Sequence, residues 1–302
     1  MKSILHYLKV YLIGVDKRML VICCLLAATG IFLNYHYELN RKINTSSRHI
    51  QYVAWFLVFT VAFVIPYLIY SFFKKANLFT KSSFLIVLFA APILFAWKMA
   101  FNFNIAFTHS PELNTYYNQV IYWPLKLLII SVIVFIIWKL YETNQSFYGT
   151  VPVNFKIAPY LVMLCFMVPL IGAASTQADF LHVYPKLKNL HYLSPDKGNW
   201  FYKLIYELAY GSDFITIELF FRGFLILGFI QYAGKEAILP MAVFYCTIHF
   251  GKPLAECISS FFGGIILGVI SYNTRTIWGG IIVHLGIAWL MELGGYLGNL
   301  YY

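Results

Sequence analysis

The sequence predicts an all-α fold: a polytopic transmembrane bundle of eight to nine spanning helices. Three observations predict it. Of 302 residues, 61% are hydrophobic and 11% charged, against about 45–50% and about 25% in a soluble domain. Aromatic residues make up 20% of the chain, which suits lipid-facing surfaces and interfacial belts. The apolar residues also fall in runs near the length of about 20 residues that a spanning helix needs. These runs are 19–36, 51–73, 82–101, 120–140, 157–175, 211–232, 236–250, 255–272 and 277–299.

Taken in order, residues 1–18 read as an amphipathic N-terminal helix. Ile4, Leu5, Leu8, Tyr11 and Leu12 share one face, and Lys2, Lys9, Lys17 and Arg18 lie elsewhere. Residues 19–175, bulky and nearly glycine-free, form an N-terminal scaffold of about five spans. Residues 176–199, with Pro185, Pro195 and Asp196, read as a connecting loop. Residues 200–302 form a second helical bundle, opened by an amphipathic lead-in (Trp200, Phe201, Leu204, Ile205, Leu208). Fourteen of the 19 glycines lie in 211–298, which predicts close helix packing there. Ser260, Gly264 and Gly268 make a small-xxx-small ladder, and Gly279–Gly280 and Gly294–Gly295 add further small surfaces.

The net charge of +10 comes from basic residues scattered through separate loops. They suit an anionic leaflet and form no stripe for nucleic acid. With the N terminus inside, the inner segments hold the larger share of Lys and Arg. The predicted location is integral and multi-pass, in a bacterial inner (cell) membrane. The five cysteines lie in apolar stretches without metal-ligand spacing and read as small buried hydrophobes.

Chemistry concentrates late in the chain. Glu218 and Arg222 stand four residues apart in a run, Phe214 to Tyr232, that is otherwise without formal charge. On a helix they share a face and can pair. Either alone would cost about 2.5–3.5 kcal/mol at the centre of a span. His249 closes the next apolar run, and His284 lies one turn from Ala288 and two from Glu292. A buried ion pair can serve packing alone, and a single membrane histidine can be a hydrogen-bonded packing residue. Ionisable residues that converge from three helices are functional candidates. A carboxylate beside an imidazole can take a proton from water, and a second imidazole can stabilise an oxyanion. Two histidines and a glutamate can instead hold zinc, although the H-E-x-x-H pattern is absent. The catalytic candidates are therefore Glu218, His249, His284 and Arg222. If a metal is used, zinc is the expected ion and Glu218, His249 and His284 its ligands.

The runs IELFFRGFL, FYCTIHFGKPL and GGIIVHLGIAW resemble the CPBP family of CAAX proteases and bacteriocin-processing enzymes. That family's pattern is E-E-x-x-x-R, then F-x-x-x-H, then H-x-x-x-N/D, and the resemblance covers about residues 200–300. It implies an intramembrane endopeptidase acting on a peptide or membrane-protein substrate. Glu218 matches the second glutamate, Arg222 the arginine, and His249 and His284 the two histidines. The resemblance implies that Glu218 activates water with His249, that Arg222 orients the glutamate and that His284 stabilises the oxyanion.

The sequence departs from the pattern at three places. Ile217 stands where the first glutamate belongs, Tyr245 replaces the phenylalanine and Ala288 replaces the Asn/Asp. The tyrosine fills a similar volume. The other two changes keep a second reading open, a catalytically impaired relative acting as a peptide-binding scaffold or immunity-type protein. A proton-coupled transporter is a third reading, but it predicts two related halves. The aromatic front and glycine-rich back do not resemble each other.

Overall fold

The computed structural model describes residues 2–143, 145–152, 155–191, 193 and 200–301, and every regular element among them is helical. The helices are α1 (Lys2–Gly14), α2 (Lys17–Tyr37), α3 (Leu39–Asn44), α4 (Arg48–Lys74), α5 (Ser82–Ala100), α6 (Pro111–Tyr141) and α7 (Ala158–Ala174). They continue as α8 (Ala178–Val183), α9 (Trp200–Glu218), α10 (Ile230–Ala233), α11 (Ile238–Thr247), α12 (Leu254–Thr274) and α13 (Trp278–Tyr301). Between α9 and α10 the chain widens into a π-helical segment, Leu219–Gly228.

Six helices among the described residues are long and apolar enough to cross a membrane: α2, α4, α5, α6, α12 and α13. A seventh span results if α7 is counted with the stretch Ala178–Leu190, bent from it by 99°. The helical bundle is as expected, but eight to nine spans is an overcount. The run 211–232 is divided among the end of α9, the π segment and α10. The run 236–250 yields α11 of 10 residues. At 1.5 Å per residue that is about 15 Å, half the hydrocarbon core. The stretch 176–199 contains α8 and a 3₁₀ turn at Lys186–Leu190, while Pro195 and Asp196 lie outside the described residues.

The chain folds into two compact units, each assembled from separate segments. One comprises residues 1–101, 134–153 and 220–277, the other 102–133, 154–219 and 278–302.

In the first unit α11 is the buried centre, packed by α2, α4 and α12. The predicted small-residue ladder faces it. A methyl at Gly264 would stand 3.2 Å from the Tyr245 ring, and one at Gly268 would stand 2.9 Å from Met241 and 3.0 Å from Ile226. Only small residues allow that approach. Phe59, Phe63, Phe95 and Phe244 form an aromatic layer, with Phe59 and Phe244 centroids 4.8 Å apart. Asn34 donates to the Phe250 carbonyl at 2.8 Å and Tyr35 to that of Lys252 at 2.6 Å, which fixes the turn after α11. Asp16 caps α2 and is bonded by Arg18 and Lys74, and these hydrogen bonds hold its carboxyl below the usual range.

In the second unit α13 packs on α7, α8 and α9. Its stripe Gly279, Gly286, Gly294 and Gly298 receives Tyr160, Leu164, Ile171 and Ser175. Gly280 and His284, four residues apart and so on one face, turn instead to Glu218 on α9.

Candidate active site

Glu218 is the last residue of α9 before the π segment and is fully buried. Its Oε1 lies 3.0 Å from Nδ1 of His284. Its Oε2 rests over Gly280, where a Cβ would overlap it, so glycine is the residue that admits the carboxylate. Phe214, one turn before Glu218, meets the His284 ring edge to face at 4.8 Å. The His284 side chain keeps 14% of its surface accessible and Glu218 none. With the carboxylate ionised, His284 donates through Nδ1–H, and Nε2 is then its basic nitrogen.

In the first unit Arg222 is also fully buried, its guanidinium 4.4 Å from the centroid of the Tyr245 ring. The His249 ring lies 4.7 Å from the same ring, and His249 Nδ1 is 3.0 Å from the Tyr245 carbonyl. A carbonyl can only accept, so Nδ1 carries the hydrogen and Nε2 is again the basic nitrogen. The Tyr245 ring and carbonyl thus engage Arg222 and His249, contacts that a phenylalanine could make as well. Such a cation–π contact in a dry setting is worth about 2 kcal/mol.

The structure brings Glu218 and His284 together in one unit and gathers Arg222 and His249 on Tyr245 in the other. An α-helical spacing was expected to run through 218–222. In fact Glu218 ends the α-helix and Arg222 lies in the wider π segment, a feature frequent at functional sites. Ile217 and Ala288 are buried at 6% and 3% exposure. Glu292 accepts the backbone N–H groups of Lys186 and Leu187 at 2.8 and 3.2 Å, a structural cap. Glu256 pairs with Lys252 at 3.5 Å. Sequence reasoning missed Gly280 and Phe214 as neighbours of the acid–base pair. The four-residue spacing from Gly280 to His284 was the signal for the glycine. Among the described residues no three His, Cys, Asp or Glu side chains are grouped so as to hold a metal ion.

The apolar helical bundle defines a multi-pass integral membrane protein, and within it Glu218 and His284 form a buried carboxylate–imidazole pair. Residues 203–290 match the family model of the type II CAAX prenyl endopeptidase Rce1-like proteins, consistent with the CPBP family. The matched region holds Glu218, Arg222, His249 and His284. It supports a CAAX-protease-type intramembrane endopeptidase in general, and hence a peptide or protein substrate in a membrane. Neither a curated protein nor a solved structure matches the chain.

Proposed function

We propose that the chain hydrolyses a peptide bond within a bacterial cell membrane, with Glu218 and His284 acting as one general base. The observation that carries this is the 3.0 Å Glu218–His284 contact inside apolar helices. Water gives its proton to Nε2 of His284 as its oxygen attacks the carbonyl carbon. The Glu218 carboxylate holds the ring in the required tautomer and stabilises the imidazolium. The proton then passes to the leaving amine. This reading gives the accessible imidazole the proton transfer and the inaccessible carboxylate the supporting role, where the sequence alone suggested the glutamate as direct base. Burial in a medium of low dielectric strengthens the ion pair that forms. His249 and Arg222 enter on their match to the family's motifs, His249 as the second imidazole. No step needs a metal.

The test compares protein termini by mass spectrometry in membranes carrying the parent, Glu218→Gln, His284→Ala or His249→Ala. New termini found only with the parent are expected. Identical termini at equal expression would sink the proposal. The buried Ile217 and Ala288, which place no polar group where the family has two, favour the second reading, a peptide-binding relative without cleavage. Peptide capture without new termini is its signature.

A further inference from the structure

The second unit contains a cavity of about 400 Å³, in the size range of ligand sites. Asn104, Thr115, Gln119 and Asn189 contribute amide and hydroxyl groups to its lining, and Tyr122 and Tyr206 contribute rings. The lining residues include no Asp, Glu, Lys or Arg. Lys126 is buried against the Tyr122 ring, 3.5 Å from its centroid, and is not part of the lining.

Two of the wall residues, Asn118 and Tyr206, are held by hydrogen bonds of their own. Asn118 donates to the carbonyls of Ile105 and Asn114 at 2.9 and 2.8 Å, and its Oδ1 accepts from Ile105 N at 2.9 Å. Tyr206 donates to the Lys186 carbonyl at 3.4 Å. Such a wall spares a ligand much of the ordering cost of binding.

Side-chain amides offer donors and acceptors together, as peptide groups and uncharged polar side chains do. A charged segment would find no counter-charge among the side chains that line it. Position adds a constraint. Tyr206 precedes Glu218 by 12 residues on the continuous helix α9, about 18 Å along the axis. An extended peptide covers that in about five to six residues.

We propose that this cavity is a docking site for an uncharged, hydrogen-bonding segment of the peptide substrate, about five to six residues from the bond that is cut. The proposal rests on the endopeptidase reading above.

The test uses the full chain in lipid nanodiscs with Glu218→Gln, so that a bound peptide stays whole. The probe is a synthetic apolar helical peptide bearing a benzophenone in an extension of serine, asparagine and threonine. A matched probe carries glutamates in the extension. Cross-links mapped to residues 102–123, Asn189 and Tyr206 are expected. They should fall about tenfold with the acidic probe, and about tenfold again with either Thr115→Trp or Asn104→Leu in place of the parent lining. The two substitutions guard against one failing to fold. Cross-links that fall elsewhere, or that ignore probe charge, overturn the proposal. So does displacement by octyl glucoside below its micellar concentration, which would mark a sugar headgroup site. Termini from the parent separate the two claims: cleavage without capture sinks the docking site alone, and capture without cleavage sinks the peptidase reading.

Discussion

Gly280→Ala is a one-carbon change that strikes the proposed base directly. The added Cβ would overlap Oε2 of Glu218, whose Oε1 is held by His284 at 3.0 Å. Either α13 moves away from α9 or the carboxylate leaves its partner. Overpacking of a tight interior costs about 1–3 kcal/mol. Loss of a hydrogen bond to a charged group costs about 1.5–3 kcal/mol. Alanine returns about 0.5–1 kcal/mol through its better helix propensity. As the two costs are alternatives, the net expectation is a loss of about 0.5–2.5 kcal/mol in stability. A catalytic group displaced by about 1 Å can cost about 100-fold in rate. Thermal melting in detergent and the yield of new termini in membranes measure the two effects. Gly172→Ala in α7 of the same unit is the control, because nothing lies within 4 Å of a Cβ there. It should melt slightly higher and cleave normally. If Gly280→Ala behaves like Gly172→Ala in both assays, Glu218 does not rest on Gly280 and the geometry of the pair is wrong.

Three further outcomes are expected. Glu142 follows α6, is 2% exposed, and is pushed up to about 7 by burial, with Tyr148 and Gln231 beside it. Its folded pKa exceeds its unfolded one, so the folded state binds more protons, and stability should fall as pH rises from about 4.5 to about 7. The full effect is about 3 kcal/mol; Glu142→Gln should flatten it, and an unchanged pH profile of melting in that variant refutes the assignment. Gly268→Leu drives a side chain into Met241 and Ile226 and should lower stability by about 1–3 kcal/mol, whereas unchanged melting would show that α11 and α12 do not meet there. A chelator should leave cleavage unchanged, since the proposed base is built from the Glu218–His284 pair alone; loss of cleavage that added zinc restores would overturn the metal-free mechanism.

What was legible in the sequence follows from how local each signal is. Hydropathy and composition reveal α2, α4, α5, α6, α12 and α13, because a long apolar helix is a property of its own residues. The ladder at Ser260, Gly264 and Gly268 was legible as well, since helical spacing alone puts those residues on one face. The span count was not, because an apolar run can end in a π segment or a 10-residue helix. Glu218, Arg222, His249 and His284 stood out as charges and imidazoles in apolar surroundings. Their partners did not. Gly280 carries no chemistry of its own, and the Tyr245 contacts use a ring and a backbone carbonyl that any aromatic residue offers. Each acquires its role only from a residue distant in the chain or from backbone geometry.

The tautomers show what folding adds to chemistry. A histidine in a sequence offers two nitrogens with no order between them. In each unit the fold commits Nδ1, to the Glu218 carboxylate for His284 and to the Tyr245 carbonyl for His249. Both imidazoles then present Nε2 as the basic nitrogen, yet their partners differ. A carboxylate stabilises an imidazolium through its charge, whereas a carbonyl contributes only a dipole. That difference is why the mechanism proposed above assigns the proton transfer to the imidazole paired with the carboxylate on α9.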